Sequence, residues 1–383
     1  MRAPARRSLE IGAYPWFPLN VPREQHSGFG PAASDALDEW YLASFPGDAV
    51  SMELPQRHEQ LLNLLQISGT ELRSMVERRA TFYDAFSVKA RAGRRARTVY
   101  RVNDGLRRVH RVVSVVLRPW AGRLPENVTG FRKGGGTRKH AELHCGAALL
   151  ATADVRCFFE SIDERRVWAL FKSLGATPNV AMTLAKLTTL NDKLPEGSRC
   201  SPAIANLVGQ QIDRVIESHL PQGCRYSRYA DDLAFSGTRV PTEEEVAAWL
   251  QQAGFALKVG SYLRRARKHG PYVTGLFVGG SEPRVPRWRR RMIERTLHYL
   301  SRGPDRELAL RKMRSDQRWE KLSPDKQYQR LLGQIAGVSA CDKALGEKYF
   351  GALKAALGLP RDCSKSQVYR LDILSIGSSL ESD

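Results

Sequence analysis

The stretch RYADDLAFSG (228–237) sets two adjacent aspartates, Asp231 and Asp232, between residues that belong in a protein interior. Apolar and aromatic residues alternate on both sides of a tight centre, so CRYSRYADDLAFSG (224–237) is predicted to run strand, turn, strand. An Asp pair at such a place is ordinarily a turn former. Here it lies in a chain whose 60 Lys and Arg outnumber 40 Asp and Glu. Negative charge gathered between packing residues therefore admits a second reading, that a cation is expected there.

Two further segments give that reading weight. AALLATADVRCFF (147–159) is predicted as a buried strand that ends near Asp154, with a helix following from about Asp163. LPEGSRCSPAIANL (194–207) is a Pro-and-Gly turn feeding a helix that opens with Ser and Pro and extends to about residue 220. The helix start could aim backbone N–H groups at phosphate or base. Each piece alone is ordinary: a strand-terminal Asp is commonly a helix cap, and the turn is a loop with a cap. Together, Asp154 and the Asp231–Asp232 pair supply the rigid carboxylates that two-metal phosphoryl transfer needs. Hard cations such as magnesium prefer such oxygen ligands.

The rest of the sequence bounds the possibilities. Net charge is +20, and residues 85–140 alone carry +13 and residues 258–295 carry +9, whereas residues 1–60 carry −3. Clustering of this kind favours a polyanionic partner. No apolar run approaches the roughly 18 residues that cross a bilayer, and the N-terminus lacks the apolar centre of a secretory signal. Six dispersed cysteines without a C-x-x-C pair argue against a zinc site and suit a reducing cytoplasm.

Along the chain, residues 1–60 form an extension, with a helix predicted around ASDALDEWYLASF. Helices are predicted over 57–83 and 105–120, and FSVKARAGRRARTVYRV (86–102) reads as a hairpin with a basic tip. TEEEVAAWLQQAG (242–254) is a helix closed by glycine, and GPYVTGLFVGG (270–280) is strand-like. From about 284 the chain turns helical and basic. Mixed strands and helices followed by an all-helical end imply an α+β unit with a helical appendage.

At this point the motifs resemble a known family. TADVRCFF, LPEGSRCSP and YADD occur in the order and approximate spacing of the polymerase motifs of reverse transcriptases. Within that superfamily the chain resembles bacterial retron reverse transcriptases. GFRKGGGTRKHAELH (130–144) is similar to a retron segment ending Asn-Ala-x-x-His, with His140 in place of Asn and His144 closing it. VTG (273–275) matches the retron Val-Thr-Gly triplet.

The resemblance implies a right-hand polymerase. Fingers and palm, an antiparallel sheet with helices, would occupy 61–283, and a helical thumb and tail 284–383. It implies that Asp154, Asp231 and Asp232 are catalytic and, with the Val155 carbonyl, hold two Mg2+ ions, Mn2+ being an alternative. Phe159 would be the aromatic gate that crowds a ribose 2′-hydroxyl. Arg97, with Lys89 or Arg91, would clamp the triphosphate, beside Glu196 and Gly197. His140, His144, Val273, Thr274, Gly275, Arg287, Arg290 and Arg291 would meet RNA. Implied partners are a cognate structured noncoding RNA, its DNA product, dNTPs, a defence-system effector protein and a host RNase H, with no membrane.

The implied reaction is RNA-directed DNA synthesis primed from a guanosine 2′-hydroxyl, leaving a branched RNA–DNA molecule, in antiphage defence. Two rivals stand beside it: a defence reverse transcriptase with different priming, and an RNA-binding scaffold with feeble catalysis. Three departures from the family pattern feed the second rival. Cys157 stands where Asp is common, Glu196 where Gln or Thr is usual, and KVGSY (258–262) leaves Gly260 or Ser261 where a lysine often serves.

Overall fold

A computed structural model describes residues 8–9, 54–88, 97–301, 324–360 and 362–370. The helix expected around ASDALDEWYLASF lies outside them, as do Lys89 and Arg91. The described residues fall into two compact units, one reaching Thr274 and the other starting at Gly275. The second unit thus begins nine residues before the boundary expected at 283/284.

In the first unit, strand β1 (Ser8–Leu9) runs parallel to β2 (Tyr83–Val88), which pairs antiparallel with β3 (Arg97–Val102). This is the hairpin expected over 86–102, begun three residues earlier; its tip lies outside the described residues. Helices α1 (His58–Leu65) and α2 (Gly69–Glu77) precede it. Ser68 and Glu71 cap α2 reciprocally, satisfying N–H groups that a helix start leaves open. Helix α3 (Asp104–Val116) is capped by the Asn103 side chain. It buries Leu106, Val109, Val112, Val113 and Val116, the face its spacing predicts.

Short helices α4 (Arg118–Gly122) and α5 (Thr137–Glu142) lead into strand β4 (Leu149–Asp154). Helices α6 (Glu164–Ser173), α7 (Pro178–Thr188) and α8 (Ser201–His219) follow. Strands β5 (Arg225–Tyr229) and β6 (Asp232–Gly237), helix α9 (Glu243–Gln252) and strand β7 (Leu263–Ala266) complete a four-stranded antiparallel sheet of order β5-β6-β4-β7. The middle of β6, from Leu233 to Ser236, is wholly buried. Tyr226 ties the sheet to α8 through Asp213, and Phe235 ties it to α9 through Trp249.

Helix α7 and strand β7 are among the elements that lay beyond the sequence reading. Helix α7 opens with Pro at its first turn and buries Val180, Ala181, Leu184, Ala185 and Leu187. Strand β7 carries mostly exposed residues, so its pairing with β4 leaves no apolar alternation to read. The expected strand over 270–280 is interrupted: β8 (Tyr272–Val273) stops at Thr274 and Gly275, whose φ angles are 44° and 80°. Left-handed backbone cannot continue a ladder.

Among its described residues the second unit is helical from Arg287 onward, as expected. Helices α10 (Arg287–Ser301), α11 (Pro324–Cys341) and α12 (Lys343–Ala356) pack on one another, with a short α13 (Lys365–Arg370). Ile293, Leu297 and Leu300 meet a core containing Leu331, Ile335, Val338, Tyr349 and Leu353.

Candidate active site

The stretch 228–237 folds as predicted, and its register builds the site. Tyr229 pairs with Asp232, so Ala230 and Asp231 form a two-residue hairpin loop. Ala230 has φ 57°, and it alone of the two loop residues is left-handed, as a type II′ turn demands. On the other side of β6, Asp154 pairs directly with Asp232. The Val155 N–H donates to the Asp231 carbonyl at 2.9 Å, which fixes the end of β4 against the hairpin tip. Three carboxylates separated by 77 and 78 positions in sequence are thus neighbours across two strands.

Their electrostatics are those of anions crowded into a low-dielectric corner. Burial, reinforced by Asp154, pushes the Asp231 carboxyl up to about 7. Asp232 is pushed well above the ordinary range by burial, and then by Asp231 and Asp154. Asp231 Oδ1 is buried and has no hydrogen-bond partner. An orphaned anionic oxygen beside two further carboxylates fits a hard divalent cation, which takes oxygen ligands. Among the described residues, no three His, Cys, Asp or Glu side chains form a ready-made metal-binding group.

One neighbour was not anticipated. The Lys258 ammonium forms an ion pair with Asp154 Oδ2. The Lys258 N–H donates to the Asp154 carbonyl at 2.9 Å, and Ser261 Oγ both donates to the Lys258 carbonyl at 2.7 Å and accepts from the Asp154 N–H at 3.0 Å. The loop KVGSY thus wraps the first aspartate. Reading it only at Gly260 and Ser261 missed the cation that the fold brings in from two or three residues earlier.

The other expected residues divide into groups. Phe159 is buried, 5% exposed, and its ring meets Phe131 and Phe158. Arg97 begins β3, and that strand reaches the 194–200 loop: the Tyr100 N–H donates to the Glu196 carbonyl at 2.8 Å. Gly197 has φ 97°, and a Cβ there would run into the Tyr100 carbonyl, so this approach requires glycine. Burial raises the Glu196 carboxyl above its usual range, with Arg97 pulling it down and Glu160 adding to the rise. The Glu196 carboxyl accordingly holds its proton more tightly than a solvated one. Cys157 is exposed at φ 47°.

The two histidines expected to meet RNA are instead interior. His140 and His144 are each 1% exposed. His144 is hydrogen-bonded to Ser236 and Ser227, both at 2.7 Å, and His140 to Ser227 at 2.8 Å. His140 is thus tied to β5 and His144 to both β5 and β6, so the pair braces the hairpin that carries Asp231 and Asp232. Val273 is likewise buried. The Thr274 hydroxyl donates to the Thr137 carbonyl at 3.2 Å, so the Val-Thr-Gly triplet adjoins the 130–144 segment. Arg287 and Arg291 are exposed on α10 and Arg290 is half-buried, all in the second unit.

Residues 91–259 match the family described as reverse transcriptase (RNA-dependent DNA polymerase). The chain carries a reverse transcriptase domain. Its reaction class is RNA-directed DNA polymerisation. The chain is 24% identical to the Retron Ec86 reverse transcriptase of Escherichia coli over 276 residues, 70% of this chain and 85% of that one. It is 29% identical to the Retron Mx65 reverse transcriptase of Myxococcus xanthus over 252 residues, 59% of this chain and 58% of that one. With the Retron Se72 reverse transcriptase of Salmonella heidelberg it shares 25% identity over 254 residues, 63% and 66% of the two chains. The reverse transcriptase domain thus resembles those of bacterial retrons. No helix among the described residues is long and apolar enough to cross a membrane.

Proposed function

We propose that this reverse transcriptase is of retron type: it binds a cognate structured noncoding RNA and copies part of it into DNA from an internal guanosine 2′-hydroxyl. The observation that carries the catalytic part is the register that pairs Asp154 with Asp232 beside the orphaned Asp231 oxygen. The retron assignment is supported by the relatives above. It is supported too by the adjacency of the 130–144 and 273–275 segments, the two that resemble retrons beyond the polymerase motifs.

In this reading the first unit supplies fingers and palm and the second a thumb. Asp154, Asp231, Asp232 and the Val155 carbonyl would hold two Mg2+ ions, with Mn2+ as a substitute. Divalent ions at such a site lower the pKa of an attacking hydroxyl and stabilise the leaving pyrophosphate. The protein's own groups do the rest. Arg97, with Lys89 or Arg91, would grip the triphosphate, to which arginine can bond in a bidentate fork. Phe159 would crowd a ribose 2′-hydroxyl. The Lys258 ammonium neutralises part of the carboxylate charge before substrate enters. Exposed Arg287 and Arg291 meet RNA phosphates. A host RNase H would remove template, and a defence effector would act on the product complex in the cytoplasm.

The scaffold reading rested on Cys157, Glu196 and Ser261. Two of these weigh less once Lys258 stands on Asp154 and burial holds Glu196 toward its neutral form.

The test is to express the chain with its flanking DNA and extract nucleic acid from the purified protein. RNase-resistant DNA joined to RNA through a linkage cleaved by a debranching enzyme is the expected result. Unbranched DNA would place the chain among defence reverse transcriptases with other priming. RNA alone, unaltered when Asp231 and Asp232 become Ala, would leave only a scaffold.

A further inference from the structure

An aromatic residue that flanks the site from the 130–144 segment, outside the TADVRCFF, LPEGSRCSP and YADD motifs, is Phe131. Its backbone is left-handed, φ 52°, a conformation that bulky side chains rarely adopt and that persists where surroundings enforce it. The enforcement is visible on both sides. The Asn206 amide donates to the Gly130 carbonyl at 2.7 Å, and the Thr129 N–H donates to the Arg228 carbonyl at 2.8 Å. Gly130 lies so close to the hairpin that an added Cβ would come within 2.8 Å of the Ala230 nitrogen. The segment 129–131 is thereby held along the strand that carries the catalytic turn.

What that strained backbone presents is a ring in contact with two functional residues. Phe131 meets Phe159 edge-on, with centroids 6.1 Å apart and planes at 69°. It meets Tyr229 at 6.2 Å and 35°. Tyr229 is flanked in turn by His140 at 6.0 Å. Phe159 is backed on another side by Phe158 at 5.8 Å, and Phe158 is itself set against Phe255. The Phe159 ring is therefore held between a fixed neighbour and Phe131.

We infer that Phe131 is a specificity-determining positioning residue, which holds Phe159 at the angle and depth that separate deoxyribo- from ribonucleotides and couples it to Tyr229. The inference rests on the reading of Phe159 as the sugar gate and extends it to a residue outside the polymerase motifs. A gate acts through sub-ångström placement of its ring edge. Removing the ring on one side leaves a void into which Phe159 can turn, and the space it vacates lies where the extra hydroxyl would go. Loss of Phe131 should thus favour ribonucleotides selectively rather than slow all substrates alike.

The experiment is single-nucleotide incorporation on an RNA template, comparing kcat/KM for dGTP and GTP in the wild type, Phe159→Ala, Phe131→Ala, Phe131→Leu and Phe131→Tyr. Phe159→Ala should collapse the dGTP preference. Phe131→Ala should reduce it by about two- to tenfold, the size of one aromatic pair's contribution, chiefly through a lower KM for GTP. Phe131→Tyr, which keeps the ring, should restore it. Phe131→Leu keeps apolar bulk without a ring and should fall between; it supplies the reading if the alanine variant does not fold. If Phe159→Ala leaves the preference intact, the gate reading itself fails. If Phe159→Ala changes it while Phe131→Ala and Phe131→Leu lower both substrates equally, Phe131 is only structural and the inference is overturned.

Discussion

Arg228 and Asp213 form a two-point ion pair buried beneath the hairpin that carries Asp231 and Asp232. Arg228 Nε donates to Asp213 Oδ1 at 2.8 Å and Nη2 donates to Oδ2 at 2.7 Å, with the arginine wholly inaccessible. The guanidinium also reaches the Asn206 side chain and carbonyl, and the Tyr226 hydroxyl donates to the same aspartate at 2.9 Å. Arg228 lies three residues before Asp231, so this cluster fastens the turn bearing that aspartate to α8. Removing one partner would strand a charge in the interior, a loss of about 3–5 kcal/mol. Asp213→Ala should therefore lower the urea midpoint sharply, and Asp213→Asn, which keeps a hydrogen-bonding side chain, should lower it less. Gly209→Ala should also destabilise, because its Cβ would lie 2.8 Å from the Arg228 guanidinium. An Asp213→Ala protein as stable as the wild type would sink this account.

The carboxylate cluster carries the opposite expectation. Burial and mutual repulsion raise both Asp231 and Asp232, so their charged forms oppose folding when no cation is bound. Asp231→Asn should abolish DNA synthesis while raising the melting temperature in EDTA at pH 8, by a free energy on the order of 1 kcal/mol or more. Added Mg2+ should stabilise the wild type and leave the variant nearly unmoved. Thermal unfolding with and without Mg2+ measures both effects. A variant less stable in EDTA would contradict the electrostatic argument.

Three interior histidines set a pH dependence whose sign follows from their shifts. Burial lowers His110 to about 4 and His144 to about 3, and holds His140 well below its ordinary value. At neutral pH they are uncharged in both folded and unfolded chains and contribute nothing to pH dependence. As pH falls below about 6.5, the unfolded chain gains protons that the folded one refuses, and stability drops. Each histidine contributes about 1.4 kcal/mol per pH unit once well below 6.5, continuing until its own folded value is reached. Urea midpoints at pH 7 and pH 5 should differ accordingly, and His144→Gln should reduce the difference. A flat profile would mean that these rings are protonated in place.

The legible parts of this molecule were those in which local chemistry and the fold agree. Asp154 ends a run of apolar residues, and Asp231 and Asp232 interrupt another, so periodicity placed them at a strand end and a turn, and the joint order of the three segments marked them as a site. The α3 face was legible for the same reason. His140 and His144 were misplaced because a polar ring in a basic segment looks like a surface group. Their hydroxyl partners, Ser227 and Ser236, lie more than 80 residues away. Lys258 was overlooked because the β4–β7 pairing, which draws its loop onto Asp154, has no signature in an exposed strand. Arg228 did carry a signal: it sits between Ser227 and Tyr229 on a strand paired with the buried β6, and a charge facing inward there needs a buried partner. Asp213, on a helix in which it faces inward, could be identified only from tertiary structure.

The basic helix α10 gives the last expectation, and it separates charge from stacking. Arg287 and Arg291 are exposed one turn apart, and Trp288 between them is 59% exposed. Arginines that contact phosphate release counterions on binding, which makes affinity fall with salt by about 0.7–0.9 logarithmic units per contact for each decade of salt. An exposed indole acts differently, by stacking on unpaired bases, and this contribution carries no such salt dependence. For a structured RNA, the double variant Arg287→Ala/Arg291→Ala should weaken binding and flatten the slope of log affinity against log salt by about 1.4–1.8. Trp288→Ala should weaken binding with the slope unchanged. Filter binding across a salt series distinguishes them. If the arginine variant keeps the wild-type slope, α10 does not meet the phosphate backbone, and the RNA surface of this reverse transcriptase lies on other basic residues.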